Sequence, residues 1–445
     1  MKKLFLVFTL FALAACAEDS SFPTPTGKGT IRALNAIPGS PGIEFNIEQR
    51  FLGTVNHREA TTGTAFDDFE YEFNFFAFFL TDNETRQIAS QRLKVDANVD
   101  YTLVLTGDID SPDIAIWAET ERDFDGSETA FSARFAHTAP SVGAVDIYLA
   151  ADGVAPVLGE ERGTLNFGET LPPADVAEGE YVMTVTTAGD PADILYQSTP
   201  TTYVPLATLI FAIFDTDNQD TGQLVARLIN SGGTTAALPD ATAPVSIRFY
   251  QASQDLANAD VYDDEMIMNQ ILQDHAYLDV TDDIEYAAGT LPLTYTTVGD
   301  TSAILFESGI TTVAGFRYSF VVIGREGERF GQVIVPDRRS ISTLAKIRPY
   351  HAAFNNVEVD VYVVPTGTVI DEVDPNLPDV VYSLLSPSIG VADGSYDIYL
   401  TLPDEKTIIS GPLNVTVALG DVVELLFYDA VDPAVIDMRI IPPSP

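Results

Sequence analysis

The sequence runs to 445 residues, 46% hydrophobic and 10% aromatic, which is too apolar for a disordered chain. It carries 23 lysines and arginines against 65 aspartates and glutamates, a formal net charge of −42, so nucleic acid is excluded as a partner. A single cysteine rules out any intrachain disulfide, and stability has to come from hydrophobic cores.

The chain opens with Met1-Lys2-Lys3 and an apolar run from Leu4 to Ala15 that ends at Cys16. A short basic region followed by such a run reads as a secretion signal, and it falls short of the ~20 apolar residues of a membrane span. Leu13-Ala14-Ala15-Cys16 resembles the bacterial lipobox. The resemblance implies a signal peptide over residues 1–15, cleavage before Cys16, and lipidation at Cys16; two or more acyl chains hold a protein stably on a membrane. Residue 17 is alanine, not the aspartate that keeps many lipoproteins in the inner membrane, which implies an outer-membrane anchor in a bacterial cell envelope. Residues 16–29, with "AEDSSFPTPTGKG", form an extended tether.

Beyond the tether the chain repeats itself. The segments 31–47, 133–149, 247–263 and 347–363 each open near an arginine: Arg32, Arg134, Arg248 and Arg348. Twelve residues later each has an acid: Glu44, Asp146, Asp260 and Asp360. A period near 100 residues is too long for a solenoid unit and suits a small domain. Within each copy, β-branched and aromatic residues alternate with polar ones between Gly, Pro, Asn and Asp, as in "EYVMTVTT" and "FRYSFVVIG". About seven short strands per copy is the pattern of an immunoglobulin-like sandwich. The predicted fold class is therefore all-β, with four tandem immunoglobulin-like β-sandwich domains over residues 30–118, 131–232, 245–337 and 345–442 in a row. "SGGTTAALPDATAP" (231–244), "AETERDFDGSETA" (118–130) and "DRRSIST" (337–343) read as junctions, and 263–273 as a short helix. The aromatic stretch 66–80 reads as a strand covered on both faces, with an exposed patch as the alternative.

The repeat opening, Arg-x-x-His-Ala/Thr followed by Val-Asp-Val/Ile-Tyr, resembles the bacterial family called domain of unknown function 4397 (DUF4397). "ARFAHTAPSVGAVDIYL" and "IRPYHAAFNNVEVDVYV" match best, and "EGEYVMTV" and "DGSYDIYL" resemble its later Gly-x-Tyr strand. The resemblance covers residues 30–442, more weakly in copies one and three, where Asn35 and Gln251 stand for His137 and His351. It implies an immunoglobulin-like fold and an envelope setting, and it carries no activity.

The twelve-residue offset leaves room for a turn, so the acid is expected back near the arginine as an intradomain salt bridge or loop anchor; an anion site is the functional alternative. Asn35, His137, Gln251 and His351 share hydrogen-bonding capacity, not metal preference, so a bond to nearby loop backbone is expected. Zinc lacks a clustered ligand set. Calcium is the only candidate cofactor, with Asp215, Asp217 and Asp220 as weak ligands, because Gln219 and Asp220 break the EF-hand pattern. No Gly-x-Ser-x-Gly, His-Glu-x-x-His or phosphate loop occurs.

The function expected is that of a non-enzymatic, lipid-anchored envelope protein, a spacer, adhesive or interaction module that meets an envelope protein or polysaccharide. A polysaccharide- or calcium-binding lipoprotein is the alternative, and a carboxylate-dependent hydrolase the remote one. The excess acid repels itself, and salt screens that repulsion, which points to a marine or saline setting. The unfolding midpoint of the mature chain is expected to rise from low to high NaCl; an unchanged midpoint contradicts a saline setting.

Overall fold

Burial with period two sets the strands. In Ile43–Ile47 the residues Ile43, Phe45 and Ile47 are buried while Glu44 faces water, and Phe73, Phe75 and Ala77 of Glu70–Phe79 point into the same core. The computed structural model describes residues 23–264, 266–355, 358–432 and 435–442, so the signal peptide and Cys16 lie outside the described residues.

The first repeat has eight strands: Lys28–Asn35, Ile43–Ile47, Arg50–Val55, Thr64–Asp67, Glu70–Phe79, Glu84–Lys94, Val99–Asp108 and Ser111–Thr120. In order along the chain, the fourth, first, seventh and eighth form one sheet, and the third, second, fifth and sixth form the other. The same order recurs in the next three repeats, whose first strands are Ala130–His137, Val245–Gln251 and Ala345–His351. The second repeat adds two short strands, Thr201–Tyr203 and Thr235–Leu238. In every copy the first strand runs parallel to the seventh, with Ala33 beside Leu103, Phe135 beside Phe211, Phe249 beside Phe320 and Pro349 beside Leu425. Four separate cores fill the four pairs of sheets. The fold is all-β, a tandem array of β-sandwiches. Among the described residues no helix is long and apolar enough to cross a membrane.

The sandwiches do not stand in a simple row. The sheet that holds the first and seventh strands is buried on both faces. Tyr101, Leu103 and Leu105 enter the first core, while Leu34, Val104 and Trp117 on the outer face meet Ile210, Phe214 and Ile229 of the second repeat. The third and fourth repeats meet the same way through Tyr250, Val321, Ile323, Tyr350, Leu426 and Ile441. Each apolar side chain buried in such a seam contributes ~1.5–3 kcal/mol. A seam therefore favours the paired arrangement over separate beads.

The predicted linkers are docked too. Thr235–Leu238 adds to the sheet edge at Leu224–Asn230, so the stretch 231–244 is partly strand. Gly233 has φ +86°, and a Cβ there would lie 2.1 Å from the Thr61 carbonyl oxygen, which requires glycine. In 337–343, Arg339 Nη1 donates to Ser40 O at 2.7 Å and the Ser342 N–H to Gly39 O at 2.8 Å, tying the last junction to the first repeat.

Two local expectations fail for physical reasons. Among the described residues of 263–273 there is no helix, and the strand Gln270–His275 takes up the second half. The Asp264 carboxylate takes the Met268 N–H at 2.7 Å, Met266 and Met268 stay exposed, and the apolar side chains that pack on the core are the adjacent Ile271 and Leu272 of the strand. The strand Glu70–Phe79 is covered on one face only: Phe78 on the other is 39% exposed. The doubly covered strands are the first and seventh.

Phe214 is 1% exposed in the first seam. Phe214→Ala is expected to cost about 3–5 kcal/mol in denaturant unfolding and to red-shift the emission of Trp117, the one tryptophan, which shares that seam. A loss below about 1 kcal/mol would mean that the seam is not closed in solution.

Candidate functional site

Strand parity turns each repeat arginine to the outer face of its sheet, and the seam covers that face. Arg32 is 2% exposed. Its Nε donates to Thr102 Oγ1 at 2.8 Å, and its Nη1 crosses the seam to the Asn230 and Ser231 carbonyls at 2.8 and 3.1 Å. Arg134 answers from the second repeat, with Nη1 donating to Ala118 O at 3.2 Å and Nη2 to Thr170 Oγ1 at 2.8 Å. Arg248 donates to Thr281 O at 2.9 Å and across the second seam to Pro442 O at 3.0 Å. Three of the four arginines thus bind a carbonyl at the end of the partner's eighth strand. Arg348, in the matching place, has Glu424 and Asp337 as its nearby charges.

Glu119 lies between the first two arginines, 3.8 Å from Arg32 Nη2 and 3.5 Å from Arg134 Nη1. Burial pushes its carboxyl up and both guanidinium groups down, each shift opposed by the charge across the pair. Truncating one member of such a buried cluster strands the others.

The acids of the repeat stand elsewhere. They lie on the second strand, in the opposite sheet, and among the described residues no ion pair joins any of them to its repeat arginine. Of the two structural roles expected, the salt bridge to the arginine does not form, and three of the acids anchor turns instead. Asp146 accepts from Thr164 Oγ1 at 2.5 Å and the Gly189 N–H at 2.7 Å. Asp260 accepts from the Asp274 and Gly299 N–H groups at 2.9 and 2.8 Å, and Asp360 from those of Asp379 and Asp404 at 2.8 and 3.2 Å. Glu44, one methylene longer, is exposed on its strand.

The polar slot three residues past the arginine binds loop backbone in all four copies. Asn35 Oδ1, His137 Nδ1, Gln251 Oε1 and His351 Nδ1 each accept the N–H two residues on, at 3.1, 3.2, 2.7 and 3.3 Å. His137 Nε2 also meets Gly143 O at 3.0 Å, and Gln251 Nε2 donates to Leu256 O at 3.2 Å. Burial pushes the His137 and His275 imidazoles below their usual range.

The weak calcium ligands do not form a cage. Arg58 of the first repeat reaches into their loop, 3.3 Å from Asp217 and 2.8 Å from Asp220, and Asp215 accepts the Ser141 N–H at 3.2 Å. The guanidinium stands where a cation would be needed, and among the described residues no group of three or more metal-ligating side chains forms. His57 beside it is pushed down to about 3, chiefly by burial and then by Arg58, Arg339 and Arg227.

Sequence reasoning missed Arg58 and Glu119, because neither recurs at a repeat position. It also missed the group of Arg317 and Arg338 on Asp283, at 2.6 and 3.1 Å. The pair Arg338-Arg339 inside an acidic chain was the available signal for the last.

The acid slot separates anchoring from surface charge. Asp360→Ala leaves two turn N–H groups unpaired and is expected to cost about 1–3 kcal/mol. Glu44→Ala is expected to stay within about 0.5 kcal/mol. Denaturant midpoints of the two variants check this, and equal losses would contradict the assignment.

No curated protein matches the chain. One similar solved structure, the Bacillus anthracis TIE protein, is 9% identical over 90% of this chain and 68% of that one, with a TM-score of 0.16. The family model described as "Domain of unknown function (DUF4397)" matches residues 29–148 and 245–362. Each match spans one whole repeat and the first two strands of the next, so it runs across a seam. The two matches take in more than half of the sequence and follow the internal repeat, and the chain belongs to the DUF4397 family.

Proposed function

We propose that this protein is a non-enzymatic lipoprotein of a bacterial cell envelope, held at the outer membrane through Cys16, that presents its paired β-sandwiches as a stiff interaction module. The observation that carries this reading is how the recurring side chains are spent. Three of the four repeat arginines clasp partner carbonyls, the Asn/His/Gln slot holds a loop, and three of the four acids hold turns. What the copies share is scaffold, so the copies differ in what they display. The docked junctions support a stiff body over a flexible string, and the tether before residue 28 supports a body set off from its anchor.

Fractionation of cells that express the full chain and Cys16→Ser tests the anchor. The full chain is expected in the outer-membrane fraction and the variant in the soluble one. A Cys16→Ser chain that stays with the membrane would contradict the proposal, as would reproducible substrate turnover by the soluble form.

A further inference from the structure

The two seams share a topology but not a charge. At one end of the second seam a cleft of about 580 Å3 opens between the third and fourth repeats, with Asn218 of the second repeat on its rim. Arg248, Arg317 and Arg338 line it. Asp283, Asp421 and Glu424 line it as well, so three guanidinium groups balance three carboxylates there, in a chain with 23 basic and 65 acidic residues. Arg317 faces the same way as Arg248, because Ser246, two residues before Arg248, pairs in parallel with Arg317. The matching strand position in the first repeat is Asp100, paired with Thr30, and the matching cleft of about 300 Å3 holds Glu119 and Asp175 with one arginine, Arg122. The scaffold therefore does not require arginine there.

The guanidinium groups are held in place while keeping donors in reserve. One Asp283 oxygen takes Arg317 Nη1 at 2.6 Å and Arg338 Nη1 at 3.1 Å, which fixes the two side by side. Arg317 Nε donates to Asp220 O at 3.3 Å, and Arg248 is fixed by the Thr281 and Pro442 carbonyls. Arg338 has an 11% exposed side chain, and its Nη2 is buried without a hydrogen-bond partner among the described residues. The other acids of the lining keep their charge but hold neutral donors: Glu424 takes the Tyr250 hydroxyl at 3.1 Å, and Asp421 caps its own turn through the Ala418 N–H at 2.8 Å, which leaves the arginine donors to the cleft. Planar guanidinium forks match the geometry of phosphate, sulfate and carboxylate oxygens, and in a half-buried cleft such charge-assisted bonds are strong. The volume lies within the range of small-molecule sites.

We propose that this cleft binds a small oxyanion, free or carried on a sugar-sized body, through Arg317 and Arg338 with Arg248 behind them. The −42 field of the chain repels polyanions, so the fit is to a compact ligand with one or two charges. Asp283 acts as the internal spacer that holds the two forks beside each other, and the ligand adds to their remaining N–H groups. This inference goes beyond the module reading, since it assigns a ligand class to one seam.

Calorimetry on the mature chain at low ionic strength tests it, with inorganic phosphate, sulfate, a hexose 6-phosphate and the neutral hexose as probes. Saturable binding of the anions is expected and none of the neutral sugar; tighter binding of the sugar phosphate than of phosphate would assign the ligand body as well. Arg338→Gln is expected to weaken binding at least tenfold. Asn218→Asp, on the exposed rim where folding is not at stake, is expected to weaken it about fivefold. No saturable binding by any anion would overturn the proposal, as would binding indifferent to both substitutions.

Discussion

An outward-facing arginine on the first strand of each repeat has to leave water, because the neighbouring repeat covers that face of the sheet. In three of the four repeats the guanidinium finds carbonyl oxygens at the end of the partner's eighth strand, so that burial and hydrogen bonding come together, while Arg348 has the charges of Glu424 and Asp337 nearby instead. The apolar residues around it, Leu34, Val104, Trp117, Ile210 and Phe214 in the first seam, then exclude water from those bonds. Clasp and apolar seam depend on each other.

From that constraint the rest of the architecture follows. A sheet buried on both faces pins its neighbour, so the junctions between repeats are short paths over a fixed surface and acquire contacts of their own. Arg58 closes on Asp217 and Asp220, Arg339 reaches Ser40, and Gly233 passes against Thr61. These polar ties link the first repeat to the second and to the last junction. The strong negative charge opposes such compaction, and its acids are tolerated where they face water, hold a turn or meet an arginine.

Much of this was legible in the sequence. The strands follow from alternation, and the four copies from the arginine and the acid twelve residues on. The shared hydrogen-bonding character of Asn35, His137, Gln251 and His351 pointed to loop backbone. The role of the arginine was not legible, because a twelve-residue offset says that two residues lie on successive strands and not whether those strands share a sheet. Here they lie in opposite sheets, so Arg348 and Asp360 serve different surfaces. The seams were hidden for a related reason: runs such as "LIFAIF" and "YTLVLTG" are apolar on both faces, which signals double coverage but does not say by what. Arg58 and the cleft arginines are single features of one copy, and a search by repeat passes over them.

Small-angle X-ray scattering of the mature chain in solution tests the central claim, that the sandwiches pack through their clasped faces. A packed chain of this length is predicted to have a radius of gyration of about 22–27 Å. A value above about 40 Å, as four separate sandwiches in a row would give, would contradict it.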